Sequence, residues 1–125
     1  MNKKKSIVWV CILFLVVWIG VTTVSFAVVT PNAEFYVKDD ANVLSEETED
    51  YIMQTNIDLE QKTGAQIVVV TIPSLEGESI EEYANELFRA WGIGSKEKNN
   101  GLLLLCSTGD RLFRVEVGYG LEGIL

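Results

Sequence analysis

The N-terminus constrains this chain more than any other stretch. Lys3, Lys4 and Lys5 precede an uncharged run from Ser6 to Ala33, most apolar from Ile7 to Val21 and broken there only by Gly20. A basic start, an apolar middle and Ser25-Phe26-Ala27, with small residues at −3 and −1, form the pattern of a secretory signal. Cleavage after Ala27 leaves 98 of the 125 residues. Left uncleaved, residues 7–29 make a 23-residue apolar segment, long enough for a ~30 Å hydrocarbon core. Both readings carry the remainder of the chain across a membrane, to its outer side or into the medium. A buried soluble helix is the weaker alternative, because no amphipathic period is visible. The chain therefore divides into a signal peptide or membrane anchor at 1–27, a linker at 28–34 that contains Pro31, and a domain at 35–125.

Charge and residue counts narrow the chemistry. Ten Lys and Arg stand against 18 Asp and Glu, a net charge of −8. Three of the cations precede the apolar run, so the remainder carries seven against eighteen, a net of −11. Such a surface repels nucleic acid and favours divalent cations. Cys11 lies in the apolar segment and Cys106 in a strand-like run, so the two do not pair within the domain. There is no histidine. That removes the commonest general base, the Ser-His-Asp arrangement and imidazole ligation together.

The pattern of apolar residues gives the elements. Ser45 followed by Glu46 and Glu47 starts a helix over residues 46–62, exposed on most of its circumference and stopped by Gly64. Gln66–Ile72 (QIVVVTI) is a strand covered on both faces and ended by Pro73. Ser79-Ile80-Glu81-Glu82 is a capping box opening a second helix, whose Ile80, Tyr83, Ala84, Leu87, Phe88 and Trp91 recur at helical spacing. Residues 92–100 (GIGSKEKNN) form a polar connection. GLLLLC at 101–106 is a second covered strand. Ser107–Asp110 turn into an alternating strand at 111–117, antiparallel to its predecessor and open on one side. Two helices are too few to cover such a sheet, so the domain reads as an incomplete α/β layer structure.

Candidate chemistry lies in the loops. Gly118-Tyr119-Gly120-Leu121-Glu122-Gly123 is formally G-x-G-x-x-G, but a dinucleotide site needs a helix and then an acidic residue about 20 positions on. A glycine-rich turn beside a ligand loop suits it better. No serine or threonine has an evident activating base, and Lys96 and Lys98 lie in an exposed stretch, so no catalytic residue is assigned. What remains is oxygen ligation: Asp39, Asn99, Asn100, Asp110 and Glu122 supply the carboxylate and amide oxygens that Ca2+ or Mg2+ takes. Asp39 as a solvated residue near a helix start is the plain alternative.

Five segments in order carry a resemblance: FYVKDDANVLS at 35–45, KTGAQIVVVT at 62–71, residues 83–94 ending in Trp91-Gly92-Ile93-Gly94, NGLLLL at 100–105, and VEVGYGLEG at 115–123. Together they resemble the TPM domain, also called YgcG-like, a family that includes the photosystem II repair protein of thylakoids. The resemblance implies a three-layer α/β/α sandwich with a mixed central sheet on the extracytoplasmic side. It also implies divalent-cation binding, with acid phosphatase activity in some members. The expected function is a cation-binding interaction module, membrane-associated or secreted, with envelope proteins as partners; a metal-assisted phosphatase is the alternative. Asp39, Asn99, Asn100 and Glu122 are the expected metal-facing residues. Two departures bear on this. The family commonly carries Asp at the position of Asn99, which predicts weaker cation affinity here. Its pattern also continues beyond GLEG with an Asp-containing loop and further helices, so a C-terminally truncated domain with one bare sheet face is expected.

Overall fold

The computed structural model describes residues 3–5 and 36–123. The rest of the signal or anchor, Cys11 within it, and the linker lie outside the described residues. Among the described residues no helix is long and apolar enough to cross a membrane. The elements run β1 (Val37–Asp39), α1 (Glu46–Thr63), β2 (Gln66–Ile72), α2 (Ile80–Trp91), β3 (Gly101–Ser107), β4 (Leu112–Val117) and a 3-10 turn at Tyr119–Leu121. The sheet order is β1-β2-β3-β4, the first three strands parallel and β4 antiparallel to β3. The mixed α/β sheet with helices agrees with the expected fold class.

Local sequence explains each helix. The Ser45 hydroxyl accepts the Thr48 amide at 3.2 Å, Glu46, Glu47 and Glu49 occupy the first turn, and Gly64 closes α1 in the left-handed conformation. Ser79 caps α2 by accepting the Glu82 amide, and the carboxylate that engages its hydroxyl is that of Glu81, at 2.8 Å. The apolar stripe of α2 then buries Ile80, Tyr83, Ala84, Leu87 and Trp91. Each large apolar side chain among them contributes about 1.5–3 kcal/mol of transfer free energy. In contrast, only Asn56 of α1 is buried; its side chain accepts the Ile67 amide at 3.0 Å and donates to the Ile52 carbonyl at 2.8 Å. This helix is held by polar ties as much as by packing.

The main core cluster lies on the α2 face of the sheet. Val68, Val70, Ile72, Leu103 and Leu105 alternate along β2 and β3 and form one cluster with α2. Residues in register share a face, so Ile67, Val69, Leu102, Leu104, Cys106 and their β4 partners Val117, Val115 and Phe113 look the other way. The expectation that β2 and β3 are covered on both faces holds only in part: on this second face Val37, in register with Val69, and Thr71 are buried, and Ile67, Val69, Leu102 and Cys106 are half-buried, but Leu104 is open. Leu104 is 38% exposed and Phe113 76% exposed, whereas Leu103 and Leu105 are sealed. A continuous apolar run permits double cover without requiring it; which face is sealed depends on where the helices land. On β4 the open side is the apolar one, and Arg114 faces α2, reaching Glu81 at 3.9 Å.

The unequal cover has a measurable consequence. Leu103→Ala removes a sealed side chain from the α2 cluster and is expected to cost about 2–5 kcal/mol, while Phe113→Ala costs less than about 1 kcal/mol. Urea midpoints of the two variants check the contrast.

Candidate cation site at the glycine-rich turn

The two ends of the sheet carry different polar constellations. Asp39 ends β1, beside Thr71 in the register, at the C-terminal end of the parallel strands. Asn99 and Asn100 precede β3 at the opposite end, where β4 also finishes and the chain runs on to Glu122. The five residue steps from Gln66 to Thr71 separate the ends by roughly 17 Å. Cation ligands sit about 2–2.6 Å from the ion, so a single ion cannot collect Asp39 together with Asn99, Asn100 or Glu122.

At the Asp39 end both carboxylate oxygens are already engaged. Oδ1 accepts the Val43 amide at 3.1 Å and the Thr71 hydroxyl, and Oδ2 accepts the Leu44 amide at 2.7 Å. Burial by itself pushes this carboxyl up. The Thr71 hydroxyl and the amides of Leu44, Val43 and Asn42 together outweigh it, leaving Asp39 below the ordinary aspartate value. Asp110 plays a similar part nearby. It accepts the Ser107 hydroxyl at 2.6 Å and the Leu75 amide at 2.7 Å, tying the β3–β4 turn to the β2–α2 loop, and the same two donors lower its pKa.

The other end is built on backbone contact. Asn99 sits at φ 47, a left-handed position that asparagine tolerates better than most residues. Its carbonyl accepts the Gly120 amide at 2.9 Å, and its own amide donates to the Ser95 carbonyl at 2.8 Å. A Cβ on Gly118 would lie 2.2 Å from the Asn99 carbonyl oxygen, and one on Gly120 would lie 1.8 Å from that of Lys98. The G-x-G pair is thus explained by the main chain of the preceding loop, which only glycine can approach so closely.

Polar side chains brace this turn. Asn100 is 8% exposed and its Oδ1 accepts the Ser95 amide at 3.1 Å, so it works inward. Gln66 accepts the Gly94 amide at 2.7 Å and donates to Glu60 at 2.9 Å, and Glu60 also accepts the Tyr36 hydroxyl. Burial, then that hydrogen bond and the Glu60 charge, push the Tyr36 phenol up to about 12.

A cleft of about 310 Å³ opens beside the turn, lined by Asn85, Phe88 and Arg89 of α2 and by Asn99, Glu116, Tyr119 and Glu122. Of the four expected metal-facing residues, the structure brings Asn99 and Glu122 to this cleft. Asn100 lies behind it and Asp39 lies at the far end. Glu116 was not expected; its place on the polar side of the alternating strand was the available signal. It accepts Arg114 Nε at 3.0 Å and is 20% exposed. Arg89 is held by two hydrogen bonds to Asn85, at 3.2 and 2.9 Å. Among the described residues no three Asp, Glu, Cys or His side chains are grouped to hold a metal by themselves. The oxygen donors that line the cleft are the carboxylates of Glu116 and Glu122 and the amides of Asn85 and Asn99.

Acid sensitivity belongs to the Asp39 end. A carboxyl whose folded pKa lies below its unfolded value stabilises the fold above the unfolded pKa, near 3.8 for aspartate. That contribution fades as pH falls through the lower, folded value. Asp39→Asn is expected to lose about 1–3 kcal/mol at pH 7 and to flatten the decline of stability below about pH 4. Urea titrations at neutral pH and near pH 3 measure both. Gly120→Ala forces the Lys98–Asn99 turn apart and is expected to broaden or shift the amide resonances of that turn in NMR spectra.

Solved structures similar to this chain include two bacterial N-terminal domains. The N-terminal domain of a protein from P. gingivalis, solved in solution, is 37% identical with a TM-score of 0.63; the match covers 70% of this chain and 55% of that one. The N-terminal domain of the cg2496 protein from Corynebacterium glutamicum is 22% identical with a TM-score of 0.56, covering 75% of this chain and 62% of that one, and shows likeness of fold. The chain thus spans little more than half of the first of these domains. A search of curated proteins returns no significant match. The family model for the TPM domain matches residues 37–125, from the first residue of β1 onward, and the chain belongs to the TPM domain family.

Proposed function

We propose that this TPM domain works on the extracytoplasmic side, anchored or secreted through its N-terminal segment, as a divalent-cation-binding interaction module. The lysine-led apolar run supports the location. The observation that carries the cation reading is the meeting of Asn99, Glu116 and Glu122 around one cleft on a turn whose main chain is fixed by close glycine contacts. Asp39 is left out, because N–H and O–H donors already occupy its oxygens and an ion would have to displace them. With two carboxylates, one amide and the rest water, Ca2+ or Mg2+ is held weakly, at roughly 0.1–1 mM as in extracellular modules. The opposing Arg89 lowers affinity further. Envelope proteins are the partners such a module would meet.

Calcium titration of the full chain followed by amide NMR shifts provides the test. Saturable shifts are expected in residues 95–101 and 116–122, with an apparent Kd of about a millimolar, lost in Glu122→Gln and kept in Asp39→Asn. Shifts confined to the Asp39 loop, or none at roughly ten times that concentration, would remove the reading. A phosphomonoester assay with and without chelator distinguishes the enzyme: hydrolysis abolished by both chelator and Glu122→Gln would make the bound cation a water-activating group.

A further inference from the structure

β4 ends the sheet order, so one of its edges is open among the described residues. The main-chain groups that face this edge are set by the bonding pattern on the other side. The Gly118 amide donates to the Gly101 carbonyl at 2.8 Å, which makes those two a hydrogen-bonded pair at the end of the ladder. In an antiparallel ladder alternate residues exchange both bonds, so Leu112, Arg114 and Glu116 turn their N–H and C=O groups towards β3. Phe113, Val115 and Val117 turn theirs to the open edge. Their side chains are those of the uncovered apolar face, Phe113 and Val115 among the exposed large hydrophobic residues.

We propose that this edge docks a second copy of the same chain: β4 pairs antiparallel with β4 of the partner about a two-fold axis at Val115, each Arg114 opposite Glu116 of the other copy. Three observations converge on a second copy as the occupant. The free hydrogen-bonding residues stand at alternate positions symmetrical about Val115, so Val115 pairs with itself and Phe113 with Val117. The flanking side chains on the α2 side, Arg114 and Glu116, become cross-strand neighbours of opposite sign, which stabilises a sheet. Sliding the pairing to centre on Arg114 opposes two arginines, and centring it on Glu116 opposes two glutamates, so charge selects one register. Elsewhere two copies of a chain with net charge −8 repel one another, whereas the strip Phe113, Val115, Val117 with Leu102 and Leu104 carries no charge. Pairing closes an edge that would otherwise template unspecific strand addition. At the other end of the sheet β1 has three residues, too few for an equivalent ladder.

A strand edge of this length buries less than the ~1,200 Å² of stable complexes, so the dimer is weak and is sought at concentrations up to about 1 mM. Sedimentation velocity of the full chain in mild detergent reads it. Arg114→Glu places glutamates opposite Glu116 and is expected to stay monomeric; Glu116→Arg places arginines opposite Arg114 and does the same. An equimolar mixture of the two restores both opposite-charge contacts and is expected to regain the dimer. The double variant R114E/E116R, which also keeps the in-strand ion pair, is expected to dimerise like the parent chain. Circular dichroism and urea midpoints establish that each variant is folded. A parent chain still monomeric at about 1 mM overturns the proposal. So does association that the single variants retain, as contact through the shared N-terminal segment would give, or a folded double variant that does not dimerise. If the single variants unfold, Val115→Pro, which removes the N–H on the open edge without touching the β3 ladder, takes their place: it is expected to stay monomeric, and a folded Val115→Pro chain that still associates overturns the proposal.

Discussion

The close approach of two backbones fixes the glycine-turn end of this molecule. Gly118 and Gly120 lie against the carbonyls of Asn99 and Lys98, at distances no side chain could share. That contact sets where β4 stops, turns the chain into Tyr119–Leu121 and holds Asn99 in its left-handed conformation. Gln66 secures the same turn from the start of β2 by accepting the Gly94 amide, and Glu60 links Gln66 to α1 and Tyr36. Hence the shape of the cleft is inherited from main-chain packing, and its side chains are placed by elements that cannot easily shift.

The far end solves a different problem. There the loop from β1 to α1 and the turn from β3 to β4 must be tied to the rest of the domain through loops rather than through regular elements. Asp39 and Asp110 do this by gathering backbone amides and one hydroxyl each. Charge-assisted hydrogen bonds of this kind are stronger than neutral ones, and they keep a carboxylate ionised to lower pH. An acidic residue in a loop can thus serve as a staple, and the acidic surface of this chain is partly structural in origin.

Much of this was legible in the sequence, for reasons that can be named. The helical spacing from Ile80 to Trp91 and the serines at 45 and 79 specified α2 and both caps, because period and capping are local properties. The unbroken β-branched run of β2 was equally plain, with both bounds as expected. β1 was invisible because three residues, two of them charged, carry no period. The opposite placement of Asp39 and Asn99 was hidden for another reason. Both adjoin strand ends, and which end of the sheet each meets depends on strand direction, which spacing alone does not encode. Sidedness was hidden in the same way: alternation separated Phe113, Val115 and Val117 from Arg114 and Glu116, but only the position of α2 decided which set would be covered.

The unequal cover of the sheet and the cleft meet at one residue. Glu116 lines the cleft, pairs with Arg114 on its own strand and occupies the position that would face Arg114 of a second copy. A carboxylate has few acceptor sites, so a cation drawn to Glu116 competes with both guanidinium contacts. Where two ligands compete for one group, each weakens the binding of the other by the same factor. Cation loading and strand pairing would therefore oppose one another, by an amount limited to what Glu116 contributes to each. Glu122, beyond the end of β4, makes no such double contribution. The relative weight of these two glutamates in the ion site would set how strongly pairing responds to the cation.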